Sequence, residues 1–376
     1  MGNPAPTTKV ALVYDWLTNM GGAERELLSF HKIFPDAPIF TSVFEPDRCP
    51  PFAQLDVRTT YLQHLPKFLR WRHQLFPVFR AYAFRTLDLS AYDIVISITN
   101  AEAKAVRVRD NAVHICYCHT PTRYYWSHYQ EYKKRPGFGM LDPLIRLLIP
   151  PFVAWMRRLD LRAVQGVDYF IANSHEVQRR VKKYYRRDAT VIYPPVEVDR
   201  FRPKESLAKE DFYLIVGRQV PYKRMDLAVR ACTQLGKKLV VIGRGSEHEK
   251  LVKLAGPTIE FPHDVDDQAI VGYFQHAKGF IFPAEEDFGI VPVEAMAAGT
   301  PVIAFGKGGA TETVVEGKTG TFFAEQTVNS LVEAIHRFET MSFSAASIQK
   351  HAQQFSEEQF IQNIHQYIQE HSIKAS

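Results

Sequence analysis

The chain is poor in cysteine: four among 376 residues, Cys49, Cys116, Cys118 and Cys232, with no Cys-x-x-Cys pair and no regular spacing. That excludes a disulfide-stapled scaffold and the usual zinc-ligand patterns. Cys116 and Cys118 read as core-adjacent thiols in an expected strand, and a reduced, cytoplasmic setting is expected. No run of eighteen apolar residues is present, so no spanning helix is expected, and the opening MGNPAPTTKV lacks the apolar centre of a secretory leader. There is no internal repeat and no low-complexity tract. With 23% charged and 46% hydrophobic residues, the composition also excludes a disordered chain.

What the chain does have is length enough for two domains and a recurring local grammar. Apolar runs of strand length end in polar or glycine-bearing loops, and helical stretches follow. Lys9 to Tyr14 leads to Gly21-Gly22-Ala23-Glu24, and Val113 to Tyr117 leads to Cys118-His119-Thr120-Pro121. Leu214 to Val216 leads to Gly217-Arg218, Lys238 to Gly243 to Arg244-Gly245-Ser246, and Thr300 to Phe305 to Gly306-Lys307-Gly308-Gly309-Ala310. This is the pattern of doubly wound parallel α/β sheets, which bind ligands beyond the carboxyl ends of their strands. Gly21-Gly22 is either a tight turn or a loop that lets a ligand approach the backbone. Pro194 and Pro195, between Tyr193 and Phe201, stop both helix and ladder. They put the domain boundary between 1–195 and 196–355, with Ser356 to Ile368 as a final amphipathic helix.

The segment Pro283 to Thr300, PAEEDFGIVPVEAMAAGT, carries the strongest functional signal. An expected strand ending at Pro283 is followed by Glu286 in a loop and by a helix with Glu294 in its first turns. A helix N-terminus behind a glycine offers unpaired N–H groups and a positive dipole end to a phosphate. Two carboxylates beside an anion site suit a sugar and a ribose joined by a diphosphate. Arg218 and Lys223, between a buried strand and the helix from Met225, place two cations where such a diphosphate gains charge as its glycosidic bond breaks. The plainer alternatives are solvated surface charge for the cations and an ordinary helix-terminal charge for Glu294.

The Glu286–Glu294 pair, with Phe288, Gly289 and Ile290 inside it, resembles the E-x7-E signature of the retaining nucleotide-sugar glycosyltransferases of family four, which have the GT-B fold. The resemblance spans most of the chain and is densest from Phe212 to Phe322. It implies an α/β protein of two doubly wound Rossmann-like domains facing each other across a cleft, the last helix crossing back to the N-terminal domain. It implies a donor held mainly by the C-terminal domain and an acceptor by the N-terminal one. In that frame His119 contacts the transferred sugar near its anomeric centre, Arg218 and Lys223 hold the diphosphate, Glu286 the sugar hydroxyls and Glu294 the ribose. The loop Phe261 to Asp266, with Asp264 and Val265, touches the base. Gly21, Gly22, Arg244, Phe288, Gly289 and Ile290 complete the donor set. Attack on the front face, assisted by the leaving phosphate, accounts for retention, and no protein nucleophile is named. No metal or cofactor is expected, because Asp264-Val265-Asp266 is the only Asp-x-Asp candidate and the two cations can do a divalent ion's charge work.

Tyr14-Asp15-Trp16-Leu17, with Tyr117 to Pro121 and Tyr124-Tyr125-Trp126, is similar to a bacterial subgroup acting in O-antigen and exopolysaccharide assembly. That implies a mannosyltransferase using GDP-mannose and a glycan or polyprenol-linked acceptor in cell-surface polysaccharide or lipopolysaccharide synthesis. The alternatives are another UDP- or GDP-sugar donor, a sugar epimerase, and a non-enzymatic nucleotide-sugar-binding protein on the same fold. The three aromatics after His119 either stack on a sugar or fill space between the domains.

Charge is unevenly shared. Residues 1–195 carry 27 basic and 17 acidic side chains, net +10, and residues 196–376 carry 19 and 24, net −5. Two segments interleave Arg with aromatics: His64 to Arg85, with Arg70, Trp71, Arg72 and Arg80, and Gly139 to Arg162, with Arg146, Trp155, Arg157, Arg158 and Arg162. They suit either an anionic membrane surface, with the protein peripheral on the inner face of the plasma membrane, or ordinary helices with one buried face. The run Arg179 to Arg187 follows Asn173-Ser174, a helix N-cap pair, and reads as the exposed face of a helix. No nucleic-acid partner is expected.

Overall fold

The computed structural model describes residues 8–70, 77–127, 129, 142–203, 205 and 207–372. Two compact units form, Met1–Ile192 with Ile361–Ser376, and Tyr193–Phe360. The division falls just ahead of the two prolines, because the Tyr193 ring packs at 5.5 Å on Phe288 and 5.2 Å on Phe355 of the second unit.

The first unit is built on seven parallel strands: β1 Val10–Tyr14, β2 Ile39–Thr41, β3 Val57–Thr59, β4 Ile94–Thr99, β5 Val113–Cys118, β6 Tyr169–Ala172 and β7 Thr190–Val191. Their order is β3-β2-β1-β4-β5-β6-β7. β4 and β5 are buried at every position, as expected of strands covered on both faces, and they lack the polar alternation of a one-sided sheet. The helices used below are α1 Gly22–Ile33, α2 Pro77–Phe84, α3 Asp142–Gln165 and α4 His175–Arg180. Ser174 caps α4, its hydroxyl accepting from the Val177 amide at 3.1 Å. The basic run is only partly an exposed face: α4 passes into a π turn, Val181–Tyr185, in which Val181 and Tyr185 are buried.

The second unit has six parallel strands: β8 Glu210–Val216, β9 Leu239–Ile242, β10 Ile259–Glu260, β11 Ala277–Phe282, β12 Val302–Phe305 and β13 Gly320–Phe323. Their order is β10-β9-β8-β11-β12-β13. Helices α5 Met225–Leu235, α6 Asp267–His276 and α7 Ile290–Ala297 belong to this unit. The last helix, α8 Glu357–His371, starts behind Ser356, whose hydroxyl accepts from the Gln359 amide at 3.2 Å, and His371 stacks edge-on at 4.6 Å against Tyr169 of the first unit's sheet. In each sheet the winding direction reverses once, between β1 and β4 and between β8 and β11. Such reversals splay the loops on either side and open a crevice at the strands' carboxyl ends.

Candidate active site

In the second unit the crevice between β8 and β11 brings together Lys223 and Glu286 of the expected donor residues, while Gly21 and Gly22 lie in the first unit. Lys223, on the turn after β8, places its ammonium against the Glu286 carboxylate on the loop after β11, and both side chains are largely buried. Glu286 Oε1 is sealed from solvent with Lys223 as its neighbour. The adjoining loops are locked by close backbone contact. A Cβ on Gly309 would lie 2.2 Å from Phe288 Cα, and the Gly309 amide donates to the Glu286 carbonyl at 2.8 Å. Gly243, at φ 127°, lies against Gly217, where a Cβ would sit 2.0 Å from the carbonyl oxygen. Any side chain at either position would push the crevice apart.

Beside this pair lies a cavity of about 430 Å³, lined by Arg218, Arg244, Asp264 and Val265 together with backbone of Gly217 and Gly243. Arg244 pairs with Asp264 at 2.6 Å, both exposed. Asp266 caps α6, accepting from the Gln268 and Ala269 amides at 3.0 and 2.7 Å. Each aspartate of the Asp264-Val265-Asp266 triplet thus has an engagement of its own. Phe261 sets its ring edge-on to His248 at 5.7 Å. Gly289, at φ 88°, precedes α7 and gives it no side-chain cap, so Ile290 opens the helix with its first amides facing the loop. Glu294 lies half-buried one turn further along α7. Phe288 is 3% exposed and belongs to the core, so its backbone alone can serve a ligand.

Gln219 was not singled out from the sequence, yet it is fully buried and ties the crevice together. Its amide nitrogen donates to the Gly243 carbonyl at 2.8 Å, and its amide oxygen accepts from His248 Nδ1 at 2.7 Å. A glutamine two residues past the glycine of a strand-loop-helix turn was the available signal.

In the first unit, β1 and β5 and the start of α1 gather a second cluster. Gly21 is the N-cap of α1 and Gly22 its first residue, and Glu24 accepts from the Tyr14 hydroxyl at 2.8 Å. Burial raises the Glu24 carboxyl above its usual range, against the hydrogen bond from Tyr14. His119 Nε2 lies 2.7 Å from Glu26 Oε1, with both residues buried. A carboxylate only accepts, so Nε2 carries the hydrogen, and among the described residues Nδ1 has no partner. Asp15, in the crevice between β1 and β4, accepts from the amides of Asn100, Ala101 and Ala103 at 2.8, 3.1 and 2.8 Å, fixing that loop's path.

Glu26 is the partner of His119 that the sequence pattern does not single out, since it marks only Glu24 in the first turn of α1. Burial pulls the His119 imidazole down, and the Glu26 charge and hydrogen bond outweigh it, so the net shift is upward. A raised histidine stabilises the fold fully below the unfolded value, about 6.5, and loses that contribution as pH rises through its folded value. Glu26→Gln removes the countercharge, so the His119 imidazole should titrate lower by NMR than in wild type. An unchanged titration would show that Glu26 does not set the state of His119.

The aromatics after His119 pack inside the first unit. Tyr125 is buried and donates to Glu102 at 3.1 Å, Tyr124 donates to Glu102 at 2.6 Å, and the Trp126 indole donates to Asp160 on α3 at 2.7 Å. Trp126 also stacks on Tyr184 at 5.2 Å and has the Arg157 guanidinium 5.0 Å from its ring centre. Within the segment His64 to Arg85 two arginines turn inward, while Lys67, Phe68, Phe79 and Tyr82 are exposed. Arg80 is 1% exposed and paired with Glu102 at 2.8 Å, and Arg70 pairs with Glu45 at 3.2 Å. Trp71 and Arg72 lie outside the described residues.

The two halves match two family models. Residues 20–200 match Glycosyltransferase Family 4, and residues 197–358 match Glycosyl transferases group 1. Solved structures agree along nearly the whole length. Anabaena HepE in complex with UDP and glucose is similar at TM-score 0.68 and 19% identity, over 96% of this chain and 99% of that one. Sucrose-phosphate synthase from Thermosynechococcus elongatus is similar at TM-score 0.69 and 18% identity, over 96% and 98%. The fold is GT-B, two parallel-sheet Rossmann-like domains, and the chain belongs to the family-4 glycosyltransferases. Among curated proteins it is 29% identical over 233 residues to D-inositol 3-phosphate glycosyltransferase 2 of Catenulispora acidiphila, covering 52% of this chain and 54% of that one. It is 31% identical over 194 residues to D-inositol 3-phosphate glycosyltransferase of Streptomyces avermitilis, covering 43% and 42%. The chain therefore spans about half the length of the curated relatives it matches.

Proposed function

We propose that the chain transfers a sugar, with retention of configuration, from a nucleoside diphosphate sugar to a glycan or polyprenol-linked acceptor. The observation that carries this reading is the Lys223–Glu286 pair at the reversal between β8 and β11, beside a cavity bearing Arg218. A cation and a carboxylate there can take a diphosphate and a sugar hydroxyl in turn, the ammonium exchanging its carboxylate for phosphate. Glu294 takes the ribose, the Arg244–Val265 side of the cavity takes the base, and His119 takes the sugar. Glu26, hydrogen-bonded to His119, is a positioning residue. No metal is required in this reading, since the leaving diphosphate is met by fixed cations.

GDP-mannose is the proposed donor, on the subgroup resemblance of Tyr14 to Leu17 and Tyr117 to Pro121. A UDP-sugar is the second reading, favoured by the UDP found with HepE. We place the protein in cell-surface polysaccharide synthesis, at the inner face of the plasma membrane. Among the described residues no helix is long and apolar enough to cross a membrane, so attachment would be peripheral.

Donor hydrolysis and transfer measured over a panel of GDP-, UDP- and TDP-sugars tests the activity and names the base; no turnover of any of them would overturn it. Within an active panel, Glu286→Ala should chiefly lower kcat and Glu294→Ala chiefly weaken nucleotide binding. Each loses about 2–3 kcal/mol, the scale of one hydrogen bond to a charged group. Wild-type kinetics in both variants would remove the assignment of the pair.

A further inference from the structure

In the first unit, away from the strand ends that carry Asp15 and His119, a cavity of about 340 Å³ opens between α2, α3 and the connection from β4 to β5. Three arginines line it: Arg85 just past the end of α2, Arg107 on the connection, and Arg162 in the last turn of α3. The remaining walls are Tyr82, Val106, Val108 and Leu159 with small residues, and no carboxylate lines the cavity. We propose that this cavity binds a phosphate monoester or diester carried on an apolar group.

The arginines are not explained by the fold. Other arginines of this unit are engaged: Arg109 with Asp93 and the Tyr92 carbonyl, Arg187 with the Val164 and Asp168 carbonyls, Arg157 with the Tyr125 carbonyl. Among the described residues the side chains of Arg85, Arg107 and Arg162 have no hydrogen bond and no ion pair. Nor do they serve the helix ends. The Tyr82 carbonyl at the end of α2 accepts from the Arg85 amide at 3.0 Å, and the Ala163 carbonyl in α3 accepts from the Gly166 amide at 3.0 Å.

Charge decides what the cavity selects. The two helix C-termini present roughly half a negative charge each, which opposes an anion. Three guanidinium groups bring three positive charges, so the balance is about two charges positive in a site with apolar walls. Guanidinium forks match phosphate oxygens in geometry as well as sign, whereas chloride or a neutral sugar would leave their donors poorly used. Tyr82 is 47% exposed and Leu161, one position before Arg162, is 37% exposed, so the surroundings of the cavity continue as apolar surface. That is where the group bearing the phosphate would rest.

The test uses the full chain and three probes by calorimetry: inorganic phosphate, glycerol 1-phosphate, and dihexanoyl phosphatidylglycerol below its micelle concentration. Saturable one-site binding of a phosphate ester is expected, weakened about tenfold for each arginine replaced in Arg85→Gln, Arg107→Gln and Arg162→Gln. A control triple that removes the same charge elsewhere, Arg158→Gln with Arg179→Gln and Lys183→Gln, should bind as wild type. Preference for the acylated probe is expected, and equal binding of glycerol 1-phosphate would overturn the apolar part of the proposal. Absence of saturable binding by any probe, or equal loss in both triples, would overturn the proposal. Arg107 is exposed, so Arg107→Gln alone keeps the test valid should the pocket triple fold poorly. The calorimetric readout needs no sugar donor, so it stands apart from the outcome of the transfer assay.

Discussion

Lys223→Ala and Arg218→Ala should each lower donor turnover about a hundredfold, with chelation by EDTA leaving the wild-type rate unchanged. The scale is that of removing one preorganised partner of a charge that develops in the transition state. Lys223 is held for that task. Its ammonium rests on Glu286 in the crevice where the winding reverses, on a turn fixed by the backbone contact of Gly217 with Gly243. Arg218 lines the adjoining cavity and is itself exposed, so its removal should spare the fold. Lys223→Ala has a second consequence, since it leaves the Glu286 carboxylate largely buried with no countercharge. Part of its loss should therefore return in Lys223→Arg, which keeps the charge, and unfolding midpoints of both variants separate lost turnover from lost stability. Steady-state kinetics with the best donor of the panel decides the matter. Near-wild-type turnover in both alanine variants, or strict dependence on Mg²⁺ or Mn²⁺, would defeat the cation-based mechanism.

The strands that carry this site were legible because they are buried on both faces. Runs such as Leu214 to Val216 and Phe280 to Phe282 are continuous and apolar, and Gly217 ends the first and Pro283 the second, so periodicity and punctuation agree. Arg218, Lys223 and Glu286 stood out for a related reason: they sit at fixed short distances from those strand ends. What stayed hidden depends on pairing across long stretches of sequence. Glu26 meets His119 across 93 residues, Arg80 meets Glu102 across 22, and Trp126 meets Asp160 across 34. A buried arginine and a solvated one look alike in a basic, aromatic-rich segment; only the partner's position separates them. Gln219 was missed because its work is entirely hydrogen bonding to backbone and to His248, which leaves no hydrophobic or charge pattern.

Arg80 gives the clearest consequence of that difference, because its loss should unfold the protein rather than detach it from a surface. Its Nε donates to Glu102 at 2.8 Å, one Nη donates to the Tyr124 hydroxyl at 3.0 Å, and the guanidinium lies 5.0 Å from the Trp16 ring centre. Glu102 in turn accepts from Tyr124 and Tyr125, so one ion pair joins α2, the loop after β4 and the loop after β5. Removing one partner of a buried pair strands the other charge, at about 3–5 kcal/mol, a large part of the 5–15 kcal/mol by which folded proteins are usually stable. Arg80→Met should thus lower the midpoint of chemical unfolding sharply, and adding Glu102→Gln should recover part of it, because the stranded carboxylate is then gone. A midpoint within error of wild type for Arg80→Met would show the pair to be dispensable. Membrane attachment in the proposed peripheral placement does not then rest on Arg80. The outer side of α3 exposes Leu147, Leu148, Phe152 and Trp155, with Arg158 exposed beside them. Aromatic rings there would enter the interface while arginine meets anionic headgroups, each basic residue adding about 1 kcal/mol. Phe152→Ser with Trp155→Ser should reduce co-sedimentation with phosphatidylglycerol-containing vesicles at unchanged unfolding midpoint, the reverse of the Arg80 result. Undiminished binding by that pair would move the contact off α3.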